Sequence, residues 1–489
     1  MSTAQAERTA PGAPRRTGAN LTLGLLAVVA VSYVLQQTLV VPALPSLQRD
    51  LNTTNTWATW VFTGFLLTSA ISTPLLGKLG DTYGKKRLLV IAMVIFAAAT
   101  VLCALSTSIA MLIVARALQG AGGAIFPLSF GIIRDELPPE RVGVGLGLLS
   151  ATFGVGGGAG LVLSGVILEN LSWQWLFWIG AVPVTLALFL VVPLIPESPI
   201  RTPARLDIPG AVALSGALGA LLVALSEGES WGWLSPAVLG LFAAAALLTA
   251  AWIAIELRVP EPMVDIGMMR APAVLWTNVG AFLAGFAMFG TFLLVPNFVQ
   301  MPNGLPAEAA ALVDYGFAAS VIVAGLYLLP SSLVMLLVGP AGGLAERRLG
   351  ARRVCTTGLA VLAVGAVMLA LLHSSGWQIV IAMALVGAGV GLAYAMLAKL
   401  IVDAVSPEVT GVAMGMNTVM RTIGGVVGGQ VGAAVLSAVT IDGTPIPAEG
   451  AFTAVFLLSG IVALLAAAGI WRVPKPAPVR VVPASAPGA

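Results

Sequence analysis

The sequence predicts an all-α protein that crosses a membrane fourteen times, with its helices arranged as six, two and six. Three observations predict this fold class. The composition is too apolar for a water-soluble globule, the chain contains fourteen hydrophobic runs of spanning length, and a repeat relates the first six runs to the last six. Together they describe a polytopic membrane protein built from two related halves and a two-helix insert.

Composition limits the functions that the chain can have. Of its 489 residues, 58% are hydrophobic and only 9% are charged, and the mean hydropathy is +0.99, whereas an average soluble domain carries about 25% charged residues. These values exclude a cytosolic enzyme, a nucleic-acid binder and a disordered protein. The two cysteines, Cys103 and Cys355, and the single His373 suggest neither a disulfide framework nor a metal site, so we expect no metal and no cofactor.

Fourteen apolar runs are long enough to cross a bilayer, which takes about 20 residues of α-helix. The first run begins near Leu21 and lacks a clear cleavage site, so we predict a spanning helix there rather than a secretory signal. The predicted helices cover residues 21–44, 57–77, 88–107, 109–133, 142–168, 173–194, 207–227, 233–255, 273–299, 315–340, 353–373, 377–401, 409–438 and 451–471.

Basic residues lie almost entirely on one side of this predicted arrangement. With both termini in the cytoplasm, the cytoplasmic segments hold 21 of the 24 lysines and arginines and the outer loops hold only Arg49, while Arg116 and Arg421 fall inside helices. This asymmetry follows the positive-inside rule and predicts a multi-pass protein of the plasma (inner) membrane. The polar residues 1–19 and the Pro-rich residues 473–489 are expected to be flexible cytoplasmic tails.

An internal repeat divides the chain. Ala117–Gly122 in predicted helix 4 reads like Ala384–Gly389 in predicted helix 12, at an offset of 267, and two flanking matches have offsets of 266 and 268. Because this offset pairs helices 1–6 with helices 9–14, helices 7 and 8 are left over, and a substrate path is expected between the two halves. The predicted domains are an N-terminal six-helix bundle over 20–200, a two-helix insert over 201–265 and a C-terminal six-helix bundle over 266–472.

The segment Gly77–Arg87 combines glycines, which allow a tight turn, with an acid that can pair with an arginine or a helix N-terminus. A plain positively charged loop is the alternative. The string closely resembles the loop signature of the major facilitator superfamily and, with fourteen helices, the chain resembles its fourteen-helix drug:proton antiporter family. The resemblance implies a major facilitator fold and a conformational gate formed by Gly77, Asp81, Gly84 and Arg87, which locks the two halves in an outward-open state.

Predicted helix 4 carries Arg116 and Gln119 one turn apart. An arginine in a spanning helix costs about 2.5–3.5 kcal/mol on insertion scales, so it should face a polar cavity or a partner. The alternative is a structural arginine that is tied to backbone carbonyls. The motif resembles the family's R-x-x-Q-G, and the resemblance implies that Arg116 faces the cavity and takes part in proton coupling.

Predicted helix 5 contains Gly156, Gly160 and Gly165, and such small residues let helices approach closely. The segment resembles the family's antiporter motif G-x-x-x-G-P-x-x-G-G, with Leu161 in place of the proline and Ser164 in place of a glycine. The resemblance implies a helix-packing motif at the interface of the two halves.

Predicted helix 1 departs from the family at one informative position. Its Gln36 and Gln37 lie in a string that resembles L-D-x-T-I-V-N-V-A-L-P, and the family's membrane aspartate falls at Gln36. Glutamine keeps the hydrogen bonding but cannot take up and release a proton. Asp314, before predicted helix 10, is the best substitute carboxylate, and a solvated loop acid is the alternative for that residue.

Predicted helix 13 places Asn417 and Arg421 one turn apart near mid-membrane. The pair could line the cavity, and a packing role for Arg421 is equally open. With Gln36, Gln37, Arg116, Gln119 and Asp314, these two residues complete the predicted substrate and coupling cavity.

The leading hypothesis is a secondary active exporter of small lipophilic or cationic compounds, of the multidrug or antibiotic efflux type. The resemblance implies alternating access and proton antiport. The alternative is a proton-independent facilitator or a lipid flippase of the same fold. The predicted partners are a small-molecule substrate, protons and membrane lipid, with no nucleic acid, and the protein is expected to be a monomer.

A third hypothesis is a receptor or the membrane subunit of an ATP-driven complex. The sequence has no G-x-x-x-x-G-K-[S/T] motif, so this chain cannot hydrolyse ATP in that way by itself. An enzyme is not expected either, because no nucleophile has a supporting base pattern.

Overall fold

The computed structural model describes residues 18–198, 207–303, 305, 307–444 and 446–474. Within these ranges, fourteen helices are long and apolar enough to cross a membrane, which confirms the predicted fold class. The predicted tails over 1–19 and 473–489 lie almost wholly outside the described residues. The spanning helices are α1 (Ala19–Thr38), α2 (Asn55–Tyr83), α3 (Lys85–Ala104), α4 (Ile109–Glu136), α5 (Pro139–Asn170), α6 (Gln174–Leu194), α7 (Ile208–Trp231), α8 (Pro236–Glu256), α9 (Pro272–Gln300), α10 (Val321–Leu349), α11 (Ala351–Leu371), α12 (Gly376–Ala404), α13 (Thr410–Ala438) and α14 (Glu449–Trp471).

Two of these helices are interrupted, and three short helices lie between spans. A 3₁₀ turn over Gly120–Ala124 divides α4, and α9 consists of two α-helices that meet at Leu293. In α4 the turn brings the backbone against α2, since a side chain at Gly120 would collide with Thr68. The short helices are Leu44–Asp50, Ile266–Arg270 and Ala307–Ala310.

The helices form two packed groups, α1–α6 and α9–α14, that meet along two seams. In one seam α5 runs along α10, and in the other α2 packs against α13. The insert helix α7 covers the second seam, where Leu214, Leu218 and Leu222 pack with Ala70 of α2 and Val419 of α13. The second helix of the insert, α8, packs against α7 and leaves most of its surface exposed, as expected for a helix that faces lipid.

Consecutive helices run in opposite directions, so the bundle has two distinct ends. We call one of them the basic end, since most of the described lysines and arginines lie there, in the helix ends that flank the connections after α2, α4, α10 and α12 and in the connection after α8. The sequence predicts that this end faces the cytoplasm.

The segment predicted as a loop over 77–87 is mostly helical. Residues 77–83 continue α2, and Gly84 alone takes a left-handed backbone conformation, with φ of +112°, before α3 begins at Lys85. The turn prediction was therefore right for Gly84 and wrong for Gly77, which instead allows a close approach: a Cβ there would lie 2.6 Å from the carbonyl oxygen of Gly411. The repeat reproduces the turn, because Gly350 between α10 and α11 has φ of +81°.

Predicted helix 10 also begins in a different place. The structure starts α10 at Val321, because the Ser320 hydroxyl caps the helix by accepting from the amide of Val323. The preceding residues run beside the end of α9, with the amides of Phe317 and Ala319 donating to the carbonyl of Val299. They are therefore an extended connection rather than the first turn of a helix.

Candidate functional site

A cavity lies between the two groups of helices. Helices α1, α2, α4 and α5 line it from the first half, and α9, α12 and α13 line it from the second. Aliphatic, hydroxyl and amide side chains complete a wall that is dominated by five aromatic rings, which belong to Tyr33, Phe126, Phe153, Phe289 and Tyr394. A largely apolar wall with a few polar groups is typical of a small-molecule site.

Arg421 provides the one charged side chain among the residues that line this cavity. Its guanidinium carbon lies 4.0 Å from the ring centre of Phe153 and 4.6 Å from that of Tyr394, in the geometry of a cation–π interaction. The side chain is 8% exposed. Within the described residues, Nη2 of Arg421 and the hydroxyl of Tyr394 are both buried without a hydrogen-bond partner.

The structure places only some of the predicted cavity residues in the wall of the cavity. Gln37 and Arg421 line the cavity, as predicted. The aromatic residues of the wall were missed, although the helical phase of Phe126 and Phe153 relative to Arg421 is a signal that a full assignment of helix faces could have used. Tyr33 also belongs to the wall, and its hydroxyl lies 2.5 Å from that of Ser69 on α2.

Arg116, Gln119 and Gln36 do not line the cavity but form a buried network inside the first half, and all three are fully buried. Arg116 donates to the carbonyls of Val61 and Gln36, at 3.0 and 3.1 Å, and to Oε1 of Gln119, at 2.5 Å. Its guanidinium also lies 4.2 Å from the ring centre of Phe65. The alternative of an arginine tied to backbone carbonyls therefore describes this residue better than the predicted cavity position.

The two glutamines extend the network to further helices. Gln119 donates from Nε2 to Thr100 on α3, at 2.7 Å, and to Oε1 of Gln36, at 3.3 Å. Gln36 in turn donates to the carbonyl of Leu176 on α6, at 2.9 Å. Because five helices of the first half meet in these bonds, the network holds that half together, and the position of the family aspartate is occupied by a structural amide.

Asn417 and Asp314 also lie away from the cavity. Nδ2 of Asn417 donates to Oδ1 of Asn278 on α9, at 2.9 Å, so this amide joins two helices of the second half. Asp314 is exposed in the connection before α10. Next to it, burial, together with the charges of Glu449 and Asp314, raises the pKa of Tyr315 to about 12, and the protonated hydroxyl donates to the carbonyl of Pro447 at 2.6 Å.

Asp81 joins the two halves at the basic end. Its carboxylate oxygens accept from the amides of Gly411 and Val412, both at 3.0 Å, at the N-terminus of α13. Helix N-termini bind carboxylates well because their first amides are unpaired and the helix dipole is positive there. Asp81 therefore links the two groups of helices, and its role as a gate residue stays a prediction.

Lys85, rather than the predicted Arg87, is the basic partner of Asp81. The Lys85 ammonium is buried and lies 3.7 Å from Asp81 and 2.7 Å from Asp135. Arg87 is exposed, and its amide donates to the carboxylate of Glu197 at 3.0 Å. Lys85 replaces Arg87 as the partner because of the turn at Gly84. After this turn Lys85 points into the bundle towards Asp81, whereas Arg87 lies on the outer face of α3.

Two further arginines close the same end. Arg134 of α4 donates to the carbonyls of Val405 and Ser406, at 2.7 and 3.1 Å, just before α13. Arg347 of α10 donates from Nε to the carbonyl of Glu140 at the start of α5, at 3.1 Å. Each half thus holds backbone of the other, and the basic end is closed in this conformation.

The glycines of α5 serve two different interfaces. A side chain at Gly156 or Gly160 would collide with Val34 or Thr38 of α1, so these two positions pack α5 inside the first half. Gly165 faces α10, because a Cβ at this position would lie 2.9 Å from the side chain of Ile322. This contact lies at the predicted interface between the halves. The prediction was therefore wrong for Gly156 and Gly160, because residues four apart share one helix face and that face is turned towards α1.

Comparison with known proteins gives consistent results at the levels of family, sequence and structure. The family model described as Major Facilitator Superfamily matches residues 26–429 and 316–489. The tetracenomycin C resistance and export protein of Streptomyces glaucescens is 30% identical over 400 residues, which is 81% of this chain and 72% of that protein. Multidrug resistance protein 3 of Bacillus subtilis (strain 168) is 27% identical over 399 residues, which is 81% of this chain and 75% of that protein.

Solved structures show the same fold at low sequence identity. The crystal structure of the human organic anion transporter MFSD10 (TETRAN) matches with a TM-score of 0.67 and 16% identity, over 93% of this chain and 99% of that one. The proton:xylose symporter XylE matches with a TM-score of 0.62 and 15% identity, over 93% and 96% of the two chains.

Proposed function

The chain belongs to the Major Facilitator Superfamily, and we propose that it is an exporter of small lipophilic compounds that works by alternating access. The observation that carries this proposal is the aromatic cavity between the two halves, together with the closure of the basic end below it. If the basic end faces the cytoplasm, as the basic loops predict, this conformation keeps the cavity separated from the cytoplasm.

The contacts at the basic end indicate what must change during transport. To open this end, Asp81 must leave the amides of α13, and Arg134 must leave the carbonyls of Val405 and Ser406. The seam between α5 and α10 contains Gly147 and Gly339, whose backbones are so close that a side chain at Gly147 would collide with Gly339. Such side-chain-free contact suits a rocking motion of one half against the other.

The relatives support export of drug-like compounds. Two proteins that resemble this chain over about four-fifths of its length are named for tetracenomycin C export and for multidrug resistance. A wall built from five aromatic rings, with Met288 and Leu66, suits a lipophilic compound of this kind.

For the energy source, we favour the proton-independent alternative over the proton antiport that the family resemblance implies. The residues that line the cavity include no acid, and Gln36 occupies the position of the family aspartate inside a buried hydrogen-bonded network. Asp314, the substitute, is an exposed loop residue. Asp81 and Asp135 remain as buried carboxylates at the basic end that could take part in coupling.

Transport in sealed proteoliposomes tests the proposal. Purified protein is reconstituted, and the efflux of a preloaded aromatic fluorophore is followed with and without a pH gradient. We expect efflux well above that of empty vesicles, with the same rate when nigericin collapses the gradient. A loss of about tenfold on collapse would establish antiport instead, and the absence of transport for all aromatic probes would contradict the exporter proposal.

A matched pair of variants makes the test specific to the gate. Asp81→Asn removes a carboxylate that joins the two halves, whereas Asp403→Asn removes an exposed carboxylate that forms an ion pair with Lys399 inside the second half. We expect transport to fall in Asp81→Asn and to stay near the wild-type rate in Asp403→Asn. Equal rates in the two variants would argue against a gate at the basic end.

A further inference from the structure

We infer that the cavity binds lipophilic organic anions, with Arg421 as their counter-charge, and that an inside-negative membrane potential is sufficient to drive their export. This inference rests on the proposed function, since it names the substrate class of the same cavity. It also differs from the sequence prediction, which included cationic compounds.

The charge of the cavity wall is the first observation. Among the fifteen residues that line the cavity, Arg421 is the one charged residue, and none is acidic. A cationic compound in this space would lie next to a guanidinium with no carboxylate to neutralise either charge. Like charges at short distance in a medium of low dielectric repel strongly, so the wall discriminates against cations.

Two unpartnered donors are the second observation. Nη2 of Arg421 and the hydroxyl of Tyr394 are buried, line the same cavity and have no hydrogen-bond partner within the described residues. The guanidinium is held between the rings of Phe153 and Tyr394, which stabilise its charge without using its N–H groups. A carboxylate or another oxyanion would accept from both donors in charge-assisted hydrogen bonds.

The second buried arginine, Arg116, adds to the positive charge near the cavity. Arg116 lies in the neighbouring network, and the hydrogen bonds found for it go to carbonyl and amide oxygens rather than to a carboxylate. Within the described residues, the middle of the bundle therefore contains two guanidinium groups without an ion-pair partner. The field inside the cavity is positive, which favours a ligand that carries a negative charge.

The rings of the wall define the rest of the ligand. Phe126 and Phe153 stack with their centres 4.0 Å apart, and Tyr394 meets Phe153 edge to face at 6.2 Å. Phe153 and Tyr394 contact the Arg421 guanidinium, so a ligand that places its anionic group there would place the rest of the molecule against aromatic rings. The expected class is a compact aromatic acid.

The negative charge of such a substrate also determines which driving force can export it. Moving one negative charge out of a cell is favoured by an inside-negative potential, and 100 mV corresponds to a gradient of about 50-fold at equilibrium. A cationic substrate would be opposed by the same factor and would need a coupled proton. A cavity without an acid is therefore consistent with anion export that the membrane potential drives.

Three probes that share one aromatic body test the inference. Their binding to the full chain in lipid nanodiscs is compared for 2-naphthylacetate, its neutral methyl ester and the cation 2-naphthylmethyl-trimethylammonium. We expect 2-naphthylacetate to bind at least tenfold more tightly than the other two, and chloride at 100 mM not to displace it. Equal affinity for acid and ester, or displacement by chloride, would overturn the inference.

Variants then assign the preference to Arg421. We expect Arg421→Gln to lower the affinity for the acid at least tenfold, to that of the ester, and Tyr394→Phe to lower it about threefold, with the ester unaffected in both. Arg472→Gln is the matched control, because Arg472 also lies over an aromatic ring, that of Trp276, but outside the cavity. If Arg421→Gln does not fold, Tyr394→Phe keeps the inference testable, since an unchanged affinity for the acid in this variant would contradict it.

Transport separates this inference from the proposed function. Vesicles loaded with 2-naphthylacetate receive a potassium diffusion potential through valinomycin, with either sign. We expect efflux to be faster when the interior is negative and slower when it is positive. Efflux of the acid and the cation with the same response to potential would leave the exporter proposal standing and refute the anion inference, whereas neither transport nor binding of any probe would refute both.

Discussion

The two halves of the molecule use their buried charges in opposite ways. In the first half, Arg116 is fully buried and bonded to two backbone carbonyls and one amide. In the second half, Arg421 lines the cavity and contacts aromatic rings instead, and Nη2 of each arginine has no hydrogen-bond partner within the described residues. Both are arginines in the middle of a spanning helix, so residue type and depth do not separate a structural role from a functional one.

The same contrast holds at the basic end. Asp81, Lys85 and Asp135 form a buried cluster in the first half. Its counterpart of the second half, with Lys399 between Glu346 and Asp403, is partly exposed, and the Lys399 side chain is 13% exposed. The first half thus behaves as a preassembled scaffold, and the second half carries the charges that are free to meet solvent or ligand.

The largest expected effect comes from the basic-end clusters. Lys85→Met leaves two carboxylates buried without their cation, and we expect a loss of about 3–5 kcal/mol in stability, as found for broken buried ion pairs. Lys399→Met removes a partly exposed ion pair, and we expect a loss of less than about 1 kcal/mol in stability. Thermal unfolding in detergent, followed by the amount of monodisperse protein, measures both. Similar losses in the two variants would break the comparison between the halves.

The arginines give the next effect. Arg116→Met removes three buried hydrogen bonds, and we expect a loss of about 3 kcal/mol in stability. Arg421→Met loses the cation–π contacts with Phe153 and Tyr394 but loses no hydrogen bond that the structure shows. We therefore expect a loss of about 1 kcal/mol in stability. Unfolding midpoints of both variants, measured without ligand, test the order. A less stable Arg421→Met would show that this arginine is structural too.

The gate gives a moderate effect on function. Asp81→Asn keeps one carbonyl oxygen for the N-terminus of α13 but loses the second acceptor and the charge beside Lys85. We expect transport to fall about tenfold, which corresponds to 1.4 kcal/mol between the closed and open forms. Alkylation of a cysteine introduced at the basic end reports the same shift independently. Unchanged labelling in Asp81→Asn would place the control of closure elsewhere.

The smallest expected effect comes from restoring an acid to the first half. Gln36→Glu preserves the shape of the side chain and adds a group next to Arg116 and Gln119 that can bind a proton. We expect transport to become sensitive to a pH gradient by about twofold, with Gln37→Glu in the cavity wall as a comparison. A wild-type protein that already responds to the pH gradient would contradict proton-independent transport, and an unchanged response in Gln36→Glu would show that an acid at this position does not restore coupling.

Several features of the protein followed from the sequence alone. The number of spans, the family and the repeat depend on the length of the apolar runs, on composition and on local motifs, all of which can be read directly from the sequence. The sequence also indicated that Asp81 could pair with a helix N-terminus, but which helix supplies that N-terminus was decided by the fold. The basic partner of Asp81 could not be predicted either, since one glycine with positive φ decides whether Lys85 or Arg87 points inward.

The substrate site, by contrast, was decided by tertiary structure. Gln36 and Gln37 are neighbours in sequence, yet Gln36 is closed within the first half and Gln37 lines the cavity. Consecutive residues of a helix point about 100° apart, and only the packing of fourteen helices determines which of those directions faces the ligand. For the same reason the sequence determined that this chain carries two membrane arginines, and only the fold determined which one is available to bind.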